Sequence, residues 1–349
     1  MEAAQRLLAH GQIYDPHSLG EFLYLPISLL VYAPFTLVNP SLAAGFWQVT
    51  FAAVFTSGCY ALTMALLPNG AGKLKPQWLA GYVLLINVPA AWFNFKGVQA
   101  SIVMTGSMLL AAVAVMRSQW AKAALWLLIG FVFKPLALAM ALLCAVLCRG
   151  MRVPLLFALI VVVALPFLFF DTHYLVAQYR DLEFKLWLIA TAPPQDWPYR
   201  ADISTLLAAF GIDFPKPVSV TVRMAAAVGA LYLAWRVHRT EGLRSFGLAL
   251  LMLSACYINL FSPRNEFLSF IVLTPPLAVL AFLLLARDQA DWRGWLLIIA
   301  ALILGMWWSL KFDAVAKPAI VIVISAWLTW LMVKPTRWSK LVEYENVPF

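Results

Sequence analysis

Lys134 is the residue whose setting most clearly indicates chemistry. It is the only charged residue between Ala123 and Cys148, and Pro135 follows it directly. A charge at bilayer depth costs roughly 2.5–3.5 kcal/mol on insertion scales, so such a lysine usually faces a protein cavity and a partner. Proline breaks a helix because it lacks a backbone N–H. The pair predicts an anion site where two short helices meet, although a lysine near a helix end can also extend to the membrane surface.

Two further segments carry polar residues that could join this lysine. Tyr14 and Asp15 come before a proline, and an aspartate in that position favours a turn. Lys96 and Gln99 lie between two apolar spans. We expect Tyr14, Lys96 and Gln99 to contact substrate. We expect Asp15 to serve as a catalytic carboxylate. The simpler alternatives are a solvated turn at Asp15 and a Lys96 that only flanks a span.

A third segment, Ser262-Pro-Arg-Asn-Glu266, connects two apolar spans. Arg264 offers a planar guanidinium that suits a phosphate group. Glu266 opens the next helix, where the helix dipole favours a carboxylate. We expect Arg264 and Asn265 to bind substrate and Glu266 to be catalytic. The alternative is an Arg–Glu ion pair that merely joins two helix ends.

The composition identifies a membrane protein. Hydrophobic residues make up 63% of the chain, charged residues make up 12%, and the mean hydropathy is +0.85. Soluble domains carry about 25% charged residues. The net charge of +9 therefore reflects membrane topology, and no nucleic-acid partner is expected. Cys59, Cys144, Cys148 and Cys256 lie in apolar segments and make no metal-binding spacing, so we expect neither a metal site nor disulfides.

The chain is expected to be an all-α, polytopic helical membrane protein with about ten or eleven membrane segments, several of them short or broken. The apolar spans are predicted at 41–67, 78–93, 98–116, 123–133, 135–148, 153–170, 218–235, 245–261, 267–286, 294–310 and 318–333. Several are shorter than the ~20 residues that cross a bilayer. Segments 123–133 and 135–148 are predicted to form a hairpin of half-length helices. One integral membrane domain, 1–349, accounts for the whole chain.

Basic residues in short loops predict the orientation. All the basic loops fall on one side if 123–148 is a hairpin, and that side is cytoplasmic by the positive-inside rule. A straight helix through Lys134 would place them on both sides. The hairpin therefore predicts a large outer loop at 171–217 and a cytoplasmic tail at 334–349. Within the loop, apolar spacing and Asp202 predict an amphipathic helix near Asp202–Phe210.

The same count of membrane crossings places residues 1–40 on the outer face as a juxtamembrane segment. The apolar stretch Pro26–Val38 is too short to span and is interrupted by prolines, so it is predicted to be a re-entrant or juxtamembrane helix. A chain that starts outside needs an earlier span or a signal peptide. We therefore expect that a first transmembrane helix precedes Met1; the alternative is that Pro26–Val38 crosses a thinned region of the membrane.

The chain resembles glycosyltransferase family 87, which belongs to the GT-C superfamily of polytopic sugar transferases. The matching segments, in the family's order, are Ala3-Ala4 to Leu7-Leu8 with Gly11 and Tyr14-Asp15-Pro16, then Tyr24-Leu25-Pro26 to Ala33-Pro34-Phe35, Gly97-Val98-Gln99, Phe133-Lys134-Pro135, and Ser262 to Glu266 with Pro275-Pro276. The resemblance implies a GT-C-like fold. It also implies that the family's first helix and its essential aspartate lie before Met1. Where many members carry histidines, this chain has Leu268 and Ser269.

The resemblance implies a hexosyltransferase, most often a mannosyltransferase. The donor would be a polyprenyl-phosphate sugar, and a lipid or glycan acceptor would receive the sugar on the outer face of a bacterial inner membrane, in building the cell envelope. Lys134 and Arg264 would stabilise the leaving phosphate, and Asp15 or Glu266 would orient the acceptor. Because fixed cations can replace a metal at a monophosphate, no metal and no cofactor are expected.

Two other function classes fit parts of the pattern. Broken helices with buried charges also occur in transporters, although the long outer loop and the lack of an inverted repeat argue against a transporter. An inactive fragment or a membrane scaffold would explain a missing catalytic aspartate.

Overall fold

The computed structural model describes residues 2–14, 23–70, 74–191, 200–212, 215–262 and 265–342. Within these ranges the regular structure is almost wholly helical, so the all-α prediction is confirmed. The helices are α1 (Glu2–Leu8), α2 (Pro26–Tyr32), α3 (Pro40–Leu66), α4 (Pro76–Lys96), α5 (Ser101–Met116), α6 (Trp120–Phe133), α7 (Leu138–Leu147), α8 (Arg152–Ala164), α9 (Thr172–Thr191), α10 (Ile203–Ala209), α11 (Lys216–Thr240), α12 (Leu243–Phe261), α13 (Thr274–Leu285), α14 (Trp292–Gly305), α15 (Leu310–Val333) and α16 (Pro335–Val342).

Seven helical segments of the described chain are long and apolar enough to cross a membrane. They are Pro40–Leu66, Pro76–Lys96, Arg149–Leu168, Pro217–Thr240, Leu243–Phe261, Phe267–Leu285 and Leu310–Val333. Shorter apolar helices accompany them, including α5, α6, α14 and the segments Pro26–Leu37 and Pro135–Leu147. The protein is therefore an integral membrane protein, as its composition predicts.

The helical break at Lys134 is confirmed. Helix α6 ends at Phe133, Lys134 is extended (φ −152°, ψ 117°), and a 3-10 turn, Pro135–Ala137, leads into α7. The residue before a proline is disfavoured from the helical conformation by a steric clash with the ring. Helices α6 and α7 pack against each other and against α8, which agrees with a hairpin of half-length helices.

The last span begins earlier than predicted. We expected it at 318–333, but α15 starts at Leu310 and carries Pro318 inside it. Ser309 caps the helix by accepting a hydrogen bond from the Phe312 N–H. The prediction was wrong because Asp313 and Lys317 suggested a loop, whereas their side chains pair within the fold at 3.4 Å.

The described parts of segment 171–217, which we predicted to be a large outer loop, are more helical than predicted. The expected amphipathic helix exists as α10, with Asp202 at its N-cap. The predicted apolar stripe is only partly buried, since Leu206 is buried but Phe210 is 70% exposed. The 20-residue helix α9 was not predicted.

Helices α1, α2 and α9 form a small hydrophobic cluster of their own. Its buried members come from α1, the segment after it, α2 and α9. The side-chain carbonyl of Gln178 in α9 accepts a hydrogen bond from the Ile13 N–H at 3.0 Å, and the Tyr174 hydroxyl donates to the Gly11 carbonyl at 2.8 Å. These contacts hold the first residues of the chain against α9.

Helices α5, α12 and α13 form the centre of the membrane domain. In α12 and in the segment Phe267–Leu285, 83% of the most apolar stretch is buried, whereas in Pro217–Thr240 only 11% is. Helix α3 crosses α5 closely at two glycines. A Cβ on Gly106 would lie 2.7 Å from the Val54 carbonyl group, and one on Gly58 would lie 2.7 Å from the Gly106 carbonyl oxygen.

We predict that Gly106→Ala destabilises the protein by roughly 1–3 kcal/mol, because the added methyl group overpacks the contact between α3 and α5. The expected result is a lower Tm in detergent. Gly81→Ala in α4 is the matched control, since a Cβ there meets nothing within 4 Å and alanine has the higher helix propensity. Equal Tm values for the two variants would contradict the close crossing.

Candidate functional site

The Lys134 ammonium lies inside the protein and has polar partners from two other segments. It donates hydrogen bonds to Ser101 Oγ at 2.7 Å and to Ser269 Oγ at 3.1 Å. Its Nζ is 3.9 Å from Glu266 Oε2. Lys134 is only 8% exposed. The side chain is thus held among protein groups and does not extend to the surface as a lysine at a simple helix end would.

Local sequence explains how these groups meet. Lys134 sits at the C-terminal end of α6 because Pro135 stops that helix. Ser101 is the first residue of α5, after a turn in which Val98 has φ +47° and the Gln99 N–H donates to the Asn94 carbonyl. Ser269 lies in the 3-10 turn Phe267–Val272 that precedes α13.

The N-terminus of α5 adds to the positive potential at this point. Residue 100, its N-cap, is an alanine and provides no side-chain hydrogen bond to the free N–H groups. The N-terminus of a helix carries a partial positive charge and favours anions. A fixed ammonium beside it reinforces that preference. The arrangement is suited to hold an anion.

Asn265 joins the segment around Ala201 to this site. Its Nδ2 donates to the carbonyls of Ala201 (3.0 Å) and Asn259 (3.1 Å), while the Ala201 N–H donates to the Asn265 carbonyl (2.8 Å). Arg200 and Glu266 form an isolated antiparallel β-bridge beside them. Residues 200–201 therefore lie directly beside the backbone of Glu266, whose carboxylate faces Lys134.

A buried ion pair fixes the residues immediately before α10. Arg200 Nε donates to Asp202 Oδ2 at 2.7 Å, and both side chains are almost fully buried. Asp202 Oδ1 accepts from the N–H groups of Ser204 and Thr205 at the start of α10. One carboxylate thus pairs with Arg200 and caps α10.

The structure brings together Lys134 and Glu266, and it places Gln99 two residues before Ser101. Lys96 is exposed at the end of α4, and Asn265 uses its amide to connect protein segments. Tyr14 is fully buried in the hydrophobic cluster of α1, α2 and α9, and its hydroxyl donates to the Tyr24 carbonyl at 2.6 Å. Burial, with smaller contributions from Tyr179 and Tyr174, raises the pKa of Tyr14. Asp15 and Arg264 lie outside the described residues, so their roles stay predictions.

Sequence reasoning missed Ser101, Ser269 and the Arg200–Asp202 pair as parts of this site. The serines are small and stand in apolar segments, so no spacing sets them apart from ordinary helix residues. Arg200 and Asp202 give a weak signal, as two opposite charges immediately before a helix.

We predict that Asp202→Ala lowers the free energy of unfolding by about 3 kcal/mol, because it breaks a buried ion pair and removes a helix cap. The expected result is a clearly lower Tm in detergent. Asp171→Ala is the control. Asp171 also accepts an N–H bond, from Tyr174 in the first turn of α9, but it is exposed. A shift no larger than the control's would show that the buried pair contributes little.

Comparison with known protein families gives a match over most of the chain. The family model for glycosyltransferase family 87 matches residues 22–263, well over half of the chain. The match includes Ser101, Lys134 and the Arg200–Asp202 pair, and it ends three residues before Glu266. No curated protein sequence matches the chain.

Proposed function

Because the chain belongs to glycosyltransferase family 87, we propose that this membrane glycosyltransferase takes a hexose, mannose-like, from a polyprenyl-phosphate donor. The acceptor is a lipid or a glycan, and the reaction takes place at the outer face of a bacterial inner membrane. The observation that supports the proposal is the buried Lys134, hydrogen-bonded to two serines beside the N-terminus of α5, where residue 100 provides no side-chain cap.

The chemistry follows from the charges. A hydroxyl oxygen of the acceptor forms a bond to the anomeric carbon while the bond from that carbon to the phosphate oxygen breaks. The hydroxyl proton passes to a carboxylate, for which Asp15 and Glu266 are the candidates. Negative charge then develops on the leaving phosphate, and a fixed cation in a site that excludes water stabilises it. Lys134 supplies that cation, and the serine hydroxyls keep its Nζ in place. Arg264, one residue before Asn265, is proposed as the second phosphate ligand.

Glu266 is proposed to orient the acceptor hydroxyl. Its side chain is 27% exposed, and its Oε2 faces Lys134 at 3.9 Å. It can therefore reach both the phosphate site and an entering group. Lys96 and Gln99 lie at the turn that leads into α5 and are proposed as further substrate contacts. Asp15 and Tyr14 remain proposals as well, although the Tyr14 hydroxyl already has a protein partner.

We predict that Lys134→Met weakens binding of the donor by roughly ten- to a hundredfold, because charge-assisted hydrogen bonds to phosphate are lost. Titration with a polyprenyl-phosphate mannose measures this. The Tm is expected to fall modestly, because the serine hydroxyls and Glu266 lose their charged partner, so donor binding is measured on the folded protein. Lys122→Met, at the exposed opposite end of α6, is the control and should bind the donor normally. Unchanged donor binding in Lys134→Met would make Lys134 a purely structural lysine.

A second variant at the same site separates the two proposed roles. Glu266→Gln should reduce kcat more than donor affinity, since Glu266 is assigned to the acceptor side. Equal and small losses in both quantities would instead indicate that Glu266 only joins neighbouring segments.

We predict that α9 faces outward and α16 faces the cytoplasm. The four native cysteines should contribute little labelling of their own, because all four are buried. A cysteine at the exposed Glu183 position should react with a membrane-impermeant maleimide in intact cells. A cysteine at the exposed Lys340 position should react only after the membrane is permeabilised. The reverse pattern would overturn the proposed orientation.

A further inference from the structure

A second buried lysine lies on the other face of the 3-10 turn that carries Ser269. Lys317 in α15 is 1% exposed, and its Nζ is 3.4 Å from Asp313 Oδ1, one helical turn earlier. The same ammonium lies over the rings of Phe267 and Phe270, at 5.6 and 5.7 Å from their centroids. The proposed phosphate site does not use this cation.

Lys317 lines a small cleft that reaches the protein surface. The other walls include Phe93, Asn94, Phe267 and Trp307. Trp307 stacks on Phe267 (centroids 5.7 Å apart, 17° between planes) and meets Phe93 edge-on. It is 48% exposed. The free volume of the cleft is about 10 Å³, which is room for one water-sized group.

The cleft has an unused hydrogen-bond acceptor. Asn94 Nδ2 donates to the carbonyls of Ala90 (2.9 Å) and Leu268 (3.1 Å), which fixes the amide. Asn94 Oδ1 is buried, and no described residue donates a hydrogen bond to it. Buried polar groups in native proteins are nearly always hydrogen-bonded. The oxygen is therefore available to a ligand that donates one hydrogen bond.

The pairing of this acceptor with Lys317 selects the ligand. A hydroxyl group both donates and accepts, so it can donate to Asn94 Oδ1 and accept from Lys317 Nζ. A phosphodiester is an anion with no proton to donate, so it would meet the Asn94 oxygen and the nearby Asp313 carboxylate without bonding to either. A cation would meet Lys317. The size of the cleft admits one hydroxyl, and the exposed ring of Trp307 offers a flat apolar surface beside it.

We propose that this cleft is a carbohydrate subsite, in which a sugar ring lies against Trp307 and places one hydroxyl between Asn94 and Lys317. The inference deepens the proposed function, because the two sites share one 3-10 turn. Glu266 and Ser269 face Lys134, while Phe267 and Leu268 line the cleft. A phosphate and a sugar can thus be held on opposite sides of the same short segment.

The test uses the full chain in nanodiscs and saturation-transfer difference NMR, which detects weak ligands. The probes are methyl α-mannoside, methyl α-glucoside and their monodeoxy analogues. At least one methyl hexoside should bind, and Trp307→Ala should weaken it roughly tenfold. Trp307→Phe should recover most of the affinity. Trp308→Ala is the matched control, because Trp308 is equally exposed but packs on Phe312 and does not line the cleft.

The monodeoxy analogues test the inserted hydroxyl without changing the protein. Removing one particular hydroxyl should cost about tenfold in affinity, and removing the others should cost much less. The proposal is overturned if no methyl hexoside binds, if Trp308→Ala weakens binding as much as Trp307→Ala, or if every deoxy analogue binds as well as its parent.

Two further titrations identify the source of the sugar and keep the two proposals separate. If the subsite holds the donor's own sugar, a polyprenyl-phosphate mannose should displace the methyl hexoside, whereas polyprenyl phosphate alone should not. If it holds the acceptor's sugar, neither should displace it. Lys134→Met should leave methyl hexoside binding unchanged, so a failed phosphate site would not affect this result.

Discussion

The cost of burying one ammonium group in an apolar environment constrains the centre of this structure. Lys134 needs oxygen atoms within hydrogen-bond distance, since a charge without partners is unstable at bilayer depth. Those oxygens come from the first turn of α5 and from the 3-10 turn before α13. Three segments that are far apart in sequence must therefore meet at one point, and the end of α6 is where they can do so.

The segment that leads into α10 is bound to this centre through backbone and amide groups. Asn265 and Ala201 exchange hydrogen bonds, and Arg200 and Asp202 are paired next to them. Such contacts have defined directions, unlike apolar packing. They fix the distance between α10 and Glu266, so this segment is positioned as part of the site.

The sequence predicts features whose cause is local. Pro135 lacks a backbone N–H and disfavours the helical conformation at Lys134, and Asp202 caps α10 through its own backbone neighbours, so both predictions are confirmed. Features that depend on distant contacts were missed. Ser101 and Ser269 become polar partners only after folding, and Asp313 and Lys317 look like loop residues until their pairing is seen. Helix α9 was missed because its buried apolar residues pack against α1 and α2. The search for long apolar spans does not detect a helix of this kind.

The half-length of α6 has a consequence for how a lipid-borne group reaches Lys134. A helix of 14 residues is about 21 Å long, whereas the hydrocarbon core is about 30 Å thick. A helix of this length that starts at one boundary of the core would end roughly 9 Å short of the other. Val132, Phe133 and Lys134 at its tip are all buried, so other protein segments, and not lipid tails, fill the space beyond the tip. A phosphate carried by a lipid would therefore approach the ammonium through protein groups and not through hydrocarbon.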